Sequence, residues 1–192
     1  MCSSCQIIMS FETFNTLIGI GIIAISLVTV ALVIFRFVIG KNNSIMQAVR
    51  TYALPIGFVL GLSSIVGSLT YSNIYMLPPC LFCWWQRIFL YPQFVLFAVA
   101  WYRNHKKTFD GKEIFYFTTP LAVISSLVSL YHVFLQQGVI ASKGACLQNG
   151  VSCTTIDISI FGFLTIPMMA LVLGVALVLL GITVMTSNKK TA

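Results

Sequence analysis

Two cysteines separated by two residues stand out in the segment PPCLFCWWQR, residues 78 to 87. Two prolines precede Cys80, and Arg87 follows Cys83 by four residues. Because proline suits the first turn of a helix, the segment predicts a helix that begins near Cys80, with Cys83 and Arg87 on one face. A helix N-terminus and a fixed positive charge both favour a thiolate. The predicted chemistry is thiol–disulfide exchange centred on Cys83.

Two other interpretations of this segment stay open at this point. Arg87 alone suits a side chain that extends to the lipid headgroups, with the cysteines as a structural clip. A structural zinc site has four ligands, and Cys146 and Cys153 would complete such a set with Cys80 and Cys83. The small loop of a Cys-x-x-Cys unit adds little stability and suits redox exchange better, so we predict redox cysteines and no metal.

The other four of the six cysteines form two further pairs. Cys146 and Cys153 lie in KGACLQNGVSCTTID, a polar, glycine-containing loop whose disulfide would either meet a soluble partner or staple the loop. Cys2 and Cys5 lie in MCSSCQ and are either a third redox pair or incidental to the chemistry. The second interpretation is favoured, since a free tail rarely holds a precise geometry.

The composition predicts that lipid is the solvent of most of this chain. Of its 192 residues, 58% are hydrophobic and 8% are charged, against about 25% charged in soluble domains. Five apolar runs meet or approach the length that a helix needs to cross a bilayer: Phe14 to Phe35, Ala53 to Tyr71, Trp84 to Tyr102, Ile114 to Leu135 and Ile158 to Thr186. We therefore predict an all-α, polytopic membrane protein with five helices.

The positions of the charges predict how these helices are oriented. The net charge is +7, and every basic residue except Arg87 and Lys143 lies within residues 36–50, 103–112 or 189–190. Charges in short gaps between apolar runs indicate membrane topology and not a nucleic-acid surface. Because basic loops stay in the cytoplasm, the N-terminus and all six cysteines are expected outside and the C-terminus inside. The first run lacks a basic leader and a cleavage motif, which predicts a retained helix.

The stretch CLFCWWQRIFLYP resembles the DsbB/BdbC family of membrane disulfide-forming oxidoreductases, and is closest to the BdbC-like branch. The pair Tyr131-His132 and the segment CTTIDISIFGFLTIP, from Cys153 to Pro167, are similar as well. The order of these motifs also matches, whereas the vitamin K epoxide reductase family has its loop cysteines before its Cys-x-x-Cys unit.

The resemblance covers roughly residues 53–186 and implies a division of the chain. Members of the family usually have four helices, so the first apolar run departs from their pattern. Residues 1–50 are expected to hold an extracytoplasmic Cys-x-x-Cys tail, an extra transmembrane helix and a cytoplasmic loop. Residues 51–192 are expected to form a DsbB-like four-helix redox domain.

The resemblance also implies a function and roles for the cysteines. The family re-oxidises a soluble, thioredoxin-fold thiol oxidase of the DsbA/BdbD type and passes the electrons to a membrane quinone, menaquinone or ubiquinone, at the bacterial plasma membrane. By position, Cys146 forms the mixed disulfide with the partner, and Cys153 is its pair. Electrons then move to Cys80 and Cys83, where Cys83 faces the quinone and Arg87 stabilises negative charge.

Three neighbouring side chains are further candidates for binding the quinone. Gln86 either hydrogen-bonds the quinone or a neighbouring helix, and Trp84 is either part of the site or an interfacial anchor like Trp85. His132 either approaches the site or is a satisfied interior histidine. Two rival functions are an outward conduit of reducing power, which would need cysteines on the cytoplasmic side, and a cysteine-based metal-binding or structural membrane subunit.

Overall fold

The computed structural model describes residues 11–38, 44–107, 110–140, 147–148 and 151–186. Cys2, Cys5 and Cys146 lie outside these described residues. Within them the chain forms six α-helices and a two-stranded antiparallel hairpin: α1 Phe11–Val38, α2 Ser44–Thr51, α3 Ala53–Leu69, α4 Leu81–His105, α5 Ile114–Gln136, β1 Leu147–Gln148, β2 Val151–Ser152 and α6 Ile166–Met185. A π-helical turn, Thr70–Ile74, extends α3.

Four helical segments of the described residues are long and apolar enough to cross a membrane: α1, α3 with its π-turn, α5 and α6. The helix α4 is of similar length, with 25 residues, and packs against both α3 and α5. Its polar side chains lower its hydropathy, and two of them, Gln86 and Gln93, are buried in the bundle. The predicted all-α membrane fold is confirmed, with α4 as the fifth long helix of the described chain.

The last apolar run begins differently from the prediction. Its first eight residues are not helical, and α6 starts only at Ile166. Ile160 and Leu164 exchange backbone hydrogen bonds of 2.9 Å across a tight turn. The turn passes through Phe161 and Gly162, whose φ angles are 53° and 81°. These left-handed conformations cannot continue a helix, and the side chain of Ile160 is brought against α1 instead.

Close packing between α3 and α4 depends on two glycines of α3. A Cβ atom at Gly57 would lie 2.7 Å from the ring of Phe97, and one at Gly61 would lie 2.9 Å from the Cα atom of Phe94. Only a hydrogen atom fits at either position, so the two backbones come unusually near each other. This proximity lets polar side chains of α4 reach α3.

The first helix is held against the bundle near both of its ends. Near its start, Asn15 is buried and accepts a hydrogen bond of 2.9 Å from the hydroxyl of Tyr71. Near its end, Arg36 donates a hydrogen bond of 3.1 Å to the hydroxyl of Thr186, which directly follows α6. Between these two points α1 packs against α6.

We predict that Gly61→Ala destabilises the bundle. The added methyl group would overlap the α4 backbone, and overpacking of this kind costs about 1–3 kcal/mol. The protein in detergent is expected to show a lower melting temperature by scanning fluorimetry. The matched control is Gly67→Ala, where the nearest atom to an added Cβ is 4.0 Å away. Equal melting temperatures for the two variants would contradict the close α3–α4 contact.

Candidate redox site

The Cys80–Cys83 pair lies at the start of α4 because the chain cannot stay helical before it. Pro78 and Pro79 follow the π-turn, and α4 begins at Leu81 with Cys80 as its N-cap residue. The sulfur of Cys80 accepts a hydrogen bond of 3.3 Å from the backbone N–H of Cys83, which satisfies one of the unpaired donors of the first turn. The predicted helix start is therefore confirmed.

The two sulfur atoms of this pair lie 2.8 Å apart. Disulfide formation requires a separation of about 2.05 Å, so a movement of less than one ångström suffices. Cys80 is buried, whereas Cys83 is half-buried. The hydrogen bond with Cys83, together with burial, raises the pKa of the Cys80 thiol to about 12. Of the two thiols, Cys80 is therefore the one that holds its proton more tightly, and Cys83 loses its proton first.

Arg87 lies one turn deeper in α4 and is anchored to α3. Its Nε atom donates to the hydroxyl of Ser68 at 2.8 Å, and Nη2 donates to the carbonyl of Ser68 at 3.2 Å. The ring of Trp84 covers the guanidinium, with 5.3 Å between Cζ and the ring centroid. A guanidinium has five N–H groups, so this anchoring leaves donors for a ligand. The structure thus directs the half-buried Arg87 side chain towards α3.

His132 connects the cysteines of α4 to α5 and to the following loop. The imidazole is buried, with Nε2 3.7 Å from the Cys80 sulfur and 3.2 Å from the Cys153 carbonyl oxygen. Its Nδ1 atom lies 3.5 Å from the amide nitrogen of Gln86. A carbonyl only accepts and an amide nitrogen only donates, so the hydrogen belongs on Nε2. His132, for which the sequence left two roles open, is thus both an interior residue and a neighbour of the redox pair.

Cys153 lies beside the same pair although it is far away in sequence. It follows β2, is almost fully buried and packs in one cluster with Cys80 and Leu135. Cys146, the other cysteine of this loop, falls outside the described residues. The structure therefore brings three of the four cysteines of the predicted redox site together.

A cavity of about 220 Å³ adjoins the pair. The cavity is partly open to the surface of the bundle. Its walls come mainly from α1, α3, α4 and α6. Of the predicted site residues, those that line it are Cys80, Cys83, Gln86, Arg87 and His132. Trp84 is absent from this lining and lies against Arg87 instead.

Tyr91 is a site residue that sequence reasoning did not single out by role. It lines the cavity, and its hydroxyl is buried with no hydrogen-bond partner among the described residues. Cys83, Arg87 and Tyr91 follow each other at intervals of four, which places them along one face of α4. This interval of four residues is the signal in the sequence that could have identified Tyr91 as a site residue. Buried hydroxyls are nearly always paired, so this one points to a ligand in the cavity.

The site also contains three potential metal ligands. The sulfur atoms of Cys80 and Cys83 and a ring nitrogen of His132 lie within 4.8 Å of one another. His132, which the sequence had offered only as a quinone-binding candidate, is thus also a potential metal ligand. However, coordination through Nε2 would move the hydrogen to Nδ1, where it would face the donating amide of Gln86. Metal binding at Nε2 would therefore require the Gln86 side-chain amide to turn its oxygen towards His132.

Comparison with known proteins decides the family. Residues 49–184 match the family model described as "Disulfide bond formation protein DsbB". The chain belongs to the DsbB family. The resemblance carried by the Cys-x-x-Cys segment is therefore confirmed, and this DsbB-family chain is a multi-pass membrane protein of disulfide bond formation.

Relatives of this DsbB-family chain bear consistent names. It is 38% identical over 126 residues to a "Probable disulfide formation protein C" of Bacillus cereus, covering 64% of this chain and 84% of the relative. Identity to the "Disulfide bond formation protein C" of Bacillus subtilis is 33% over 133 residues, covering 68% and 90%. For the "Probable disulfide formation protein C 2" of Bacillus anthracis it is 30% over 135 residues, covering 70% and 91%. No solved structure matches the chain.

We predict that Cys83 of the fully reduced protein reacts with iodoacetamide before Cys80. Cys83 is more exposed and carries the negative charge, so its alkylation near neutral pH should be at least about tenfold faster. Short pulses followed by peptide mass spectrometry give the rate at each cysteine. Arg87→Gln should slow the reaction of Cys83 and leave that of Cys80 unchanged. Faster labelling of Cys80 would contradict this assignment of charge.

Proposed function

We propose that this DsbB-family protein is a protein dithiol:quinone oxidoreductase. It re-oxidises a thioredoxin-fold thiol oxidase of the DsbA/BdbD type and passes two electrons to a membrane quinone, menaquinone or ubiquinone. The single observation that carries the proposal is the position of Cys83. The Cys83 sulfur lies 2.8 Å from the Cys80 sulfur, and Cys83 also lines the cavity together with Arg87.

The first exchange takes place at the loop cysteines. A thiolate of the reduced partner attacks the Cys146–Cys153 disulfide at Cys146, forms a mixed disulfide and releases Cys153 as a thiolate. The second partner thiol then resolves the mixed disulfide. The partner leaves with its own disulfide, and Cys146 and Cys153 are left as thiols.

The second exchange transfers this pair of electrons to the start of α4. Cys153 attacks the sulfur of Cys80, which shares its buried cluster, and Cys83 departs as a thiolate. Cys146 then displaces Cys80, so that the loop disulfide forms again. Disulfide exchange is faster when the departing thiolate is stabilised, and the positive charge of Arg87 one turn away stabilises the thiolate of Cys83.

The cavity suits the proposed electron acceptor. A bound quinone would accept two electrons and two protons, which leaves Cys80 and Cys83 joined as a disulfide. Arg87 and Tyr91 offer unused hydrogen-bond donors about one helical turn apart, a spacing comparable with that of two oxygens on opposite sides of a six-membered ring. Gln86 and His132 form the neighbouring wall. Arg87 would favour the developing negative charge on the oxygen nearest to it.

The proposed location is the bacterial plasma membrane, with the redox cysteines on the extracytoplasmic side. The basic segments 36–50 and 103–112 support this orientation, because both lie at the opposite ends of the helices from Cys80. An oxidising outer compartment would let the loop disulfide persist. We propose residues 51–192 as the redox domain, preceded by an extra helix.

We predict that the purified protein in detergent reduces a short-chain quinone when it is supplied with a reduced thioredoxin-fold thiol oxidase. Cys83→Ser should abolish the reaction, because the disulfide at α4 cannot form. Arg87→Gln should lower kcat about 100-fold, as expected when a donor to developing charge is removed. Arg87→Lys should retain part of the activity. Absorbance of the quinone gives the rate.

The matched control is Lys106→Gln, which removes an exposed positive charge outside the cavity and should leave the rate unchanged. The three potential metal ligands supply a second candidate function, a metal-binding membrane subunit. Metal analysis of the reduced protein tests it. Stoichiometric zinc in a protein that reduces no quinone would overturn the redox proposal.

We predict that Tyr91→Phe raises KM for the quinone about threefold to tenfold, the loss expected for one neutral hydrogen bond. The change removes only the hydroxyl, so thermal stability and the partner's KM should stay the same. Tyr116→Phe makes the same change at an exposed position on α5 and serves as the control. Equal KM values for Tyr91→Phe and the unchanged protein would exclude Tyr91 from quinone binding.

A further inference from the structure

The helix α1 lies outside the part of the chain that matches the DsbB family, which begins at residue 49. It is nevertheless fixed in place on the redox bundle. Its outer half is tied by the Asn15–Tyr71 hydrogen bond. It is also packed at Gly19, where an added Cβ would lie 2.7 Å from the ring of Phe161. Its inner end is tied by Arg36 to the residue after α6.

The middle of α1 contacts the cavity through one face. Five residues of this face line the cavity: Leu17, Ile18, Gly21, Ile22 and Ile25. They fall at helical spacing and are all apolar, whereas the opposite wall carries the polar groups of α4. Since α6 also contributes apolar residues, the cavity is polar beside the sulfurs and apolar where α1 and α6 line it.

Gly21 is a lining residue of α1 at which a side chain could be added without contacting the protein. A Cβ atom built at this position meets no atom within 4 Å, although the residue lines the cavity. By contrast, Gly19 of the same helix has no room for a side chain. Gly21 is exposed and lines the cavity, so a longer side chain at this position would extend into open space at the cavity's edge.

We infer that α1 forms, together with α6, the apolar wall of the quinone site and that Gly21 of α1 determines how large an acceptor the site admits. The inference rests on the proposed function and extends it to a helix outside the family match. A quinone carries its polar oxygens and its hydrocarbon chain on different parts of the ring. With the oxygens directed at Arg87 and Tyr91, one of the two remaining edges of the ring would face α1, and in a naphthoquinone this would be the fused edge.

The test measures binding of quinone to the purified full-length protein, apart from turnover. A short-chain ubiquinone and a short-chain naphthoquinone are titrated, and quenching of tryptophan fluorescence gives Kd. Gly21→Leu should weaken quinone binding by at least about tenfold, because the leucine side chain would overlap the space that the bound ring occupies. Gly21→Ala should show a smaller loss, and the bicyclic naphthoquinone should lose more affinity than the single ring.

The matched control is Ala24→Leu, an enlargement on the same helix at an exposed position that does not line the cavity. It should bind both quinones as the unchanged protein does. An azido-substituted quinone, activated by light, should attach to residues 17–25, as read by peptide mass spectrometry. Melting temperatures establish that each variant is folded.

The possible outcomes separate the two proposals. If the unchanged protein binds no quinone, the proposed function fails, and the role of α1 fails with it. If it binds quinone and Gly21→Leu binds equally well, only the role of α1 is overturned. The role of α1 alone is also overturned if Ala24→Leu weakens binding as much as Gly21→Leu, or if the azido label attaches only outside α1.

Discussion

A guanidinium group inside a membrane-spanning bundle is the constraint on which this structure depends. Placing the charge of Arg87 there costs free energy unless the protein replaces the hydrogen bonds that water would make with it. Ser68 of α3 supplies two acceptors, and Trp84 covers one face of the charge. These contacts require α3 and α4 to lie very close together, which Gly57 and Gly61 allow. The remaining donors of Arg87 are thereby held beside Cys83 and the cavity.

The break between α3 and α4 has a comparable effect on the cysteines. The π-turn and the two prolines end one helix and begin the next, so Cys80 becomes an N-cap at the mouth of the bundle. From there its sulfur contacts Cys83 and His132 and packs with Cys153. Hydrogen bonds in such a low-dielectric setting are strong, and unpaired groups are costly. The polar network around His132 therefore fixes the pair with respect to the loop.

The extra helix α1 lines part of the same cavity. The polar half of the cavity belongs to residues inside the family match, whereas α1 supplies an apolar wall from outside it. Most of the α1 surface faces away from the protein, since few of its residues are buried. Its exposed apolar side chains suit contact with lipid.

The sequence alone was sufficient for the spans, the helix start at Cys80, the shared face of Cys83 and Arg87, and the family. Hydropathy, proline and an interval of four residues act locally, so they can be read without a fold. It missed the start of α6, because the left-handed turn at Phe161 and Gly162 gives no hydropathy signal. It also left Tyr91 without a role, since an unpartnered hydroxyl becomes visible only when every neighbour is known. The contact of His132 with Cys80, 52 residues away, and the position of Gly21 on the cavity depend on how the helices are rotated and packed. Such contacts join distant parts of the chain, and only the tertiary structure decides them.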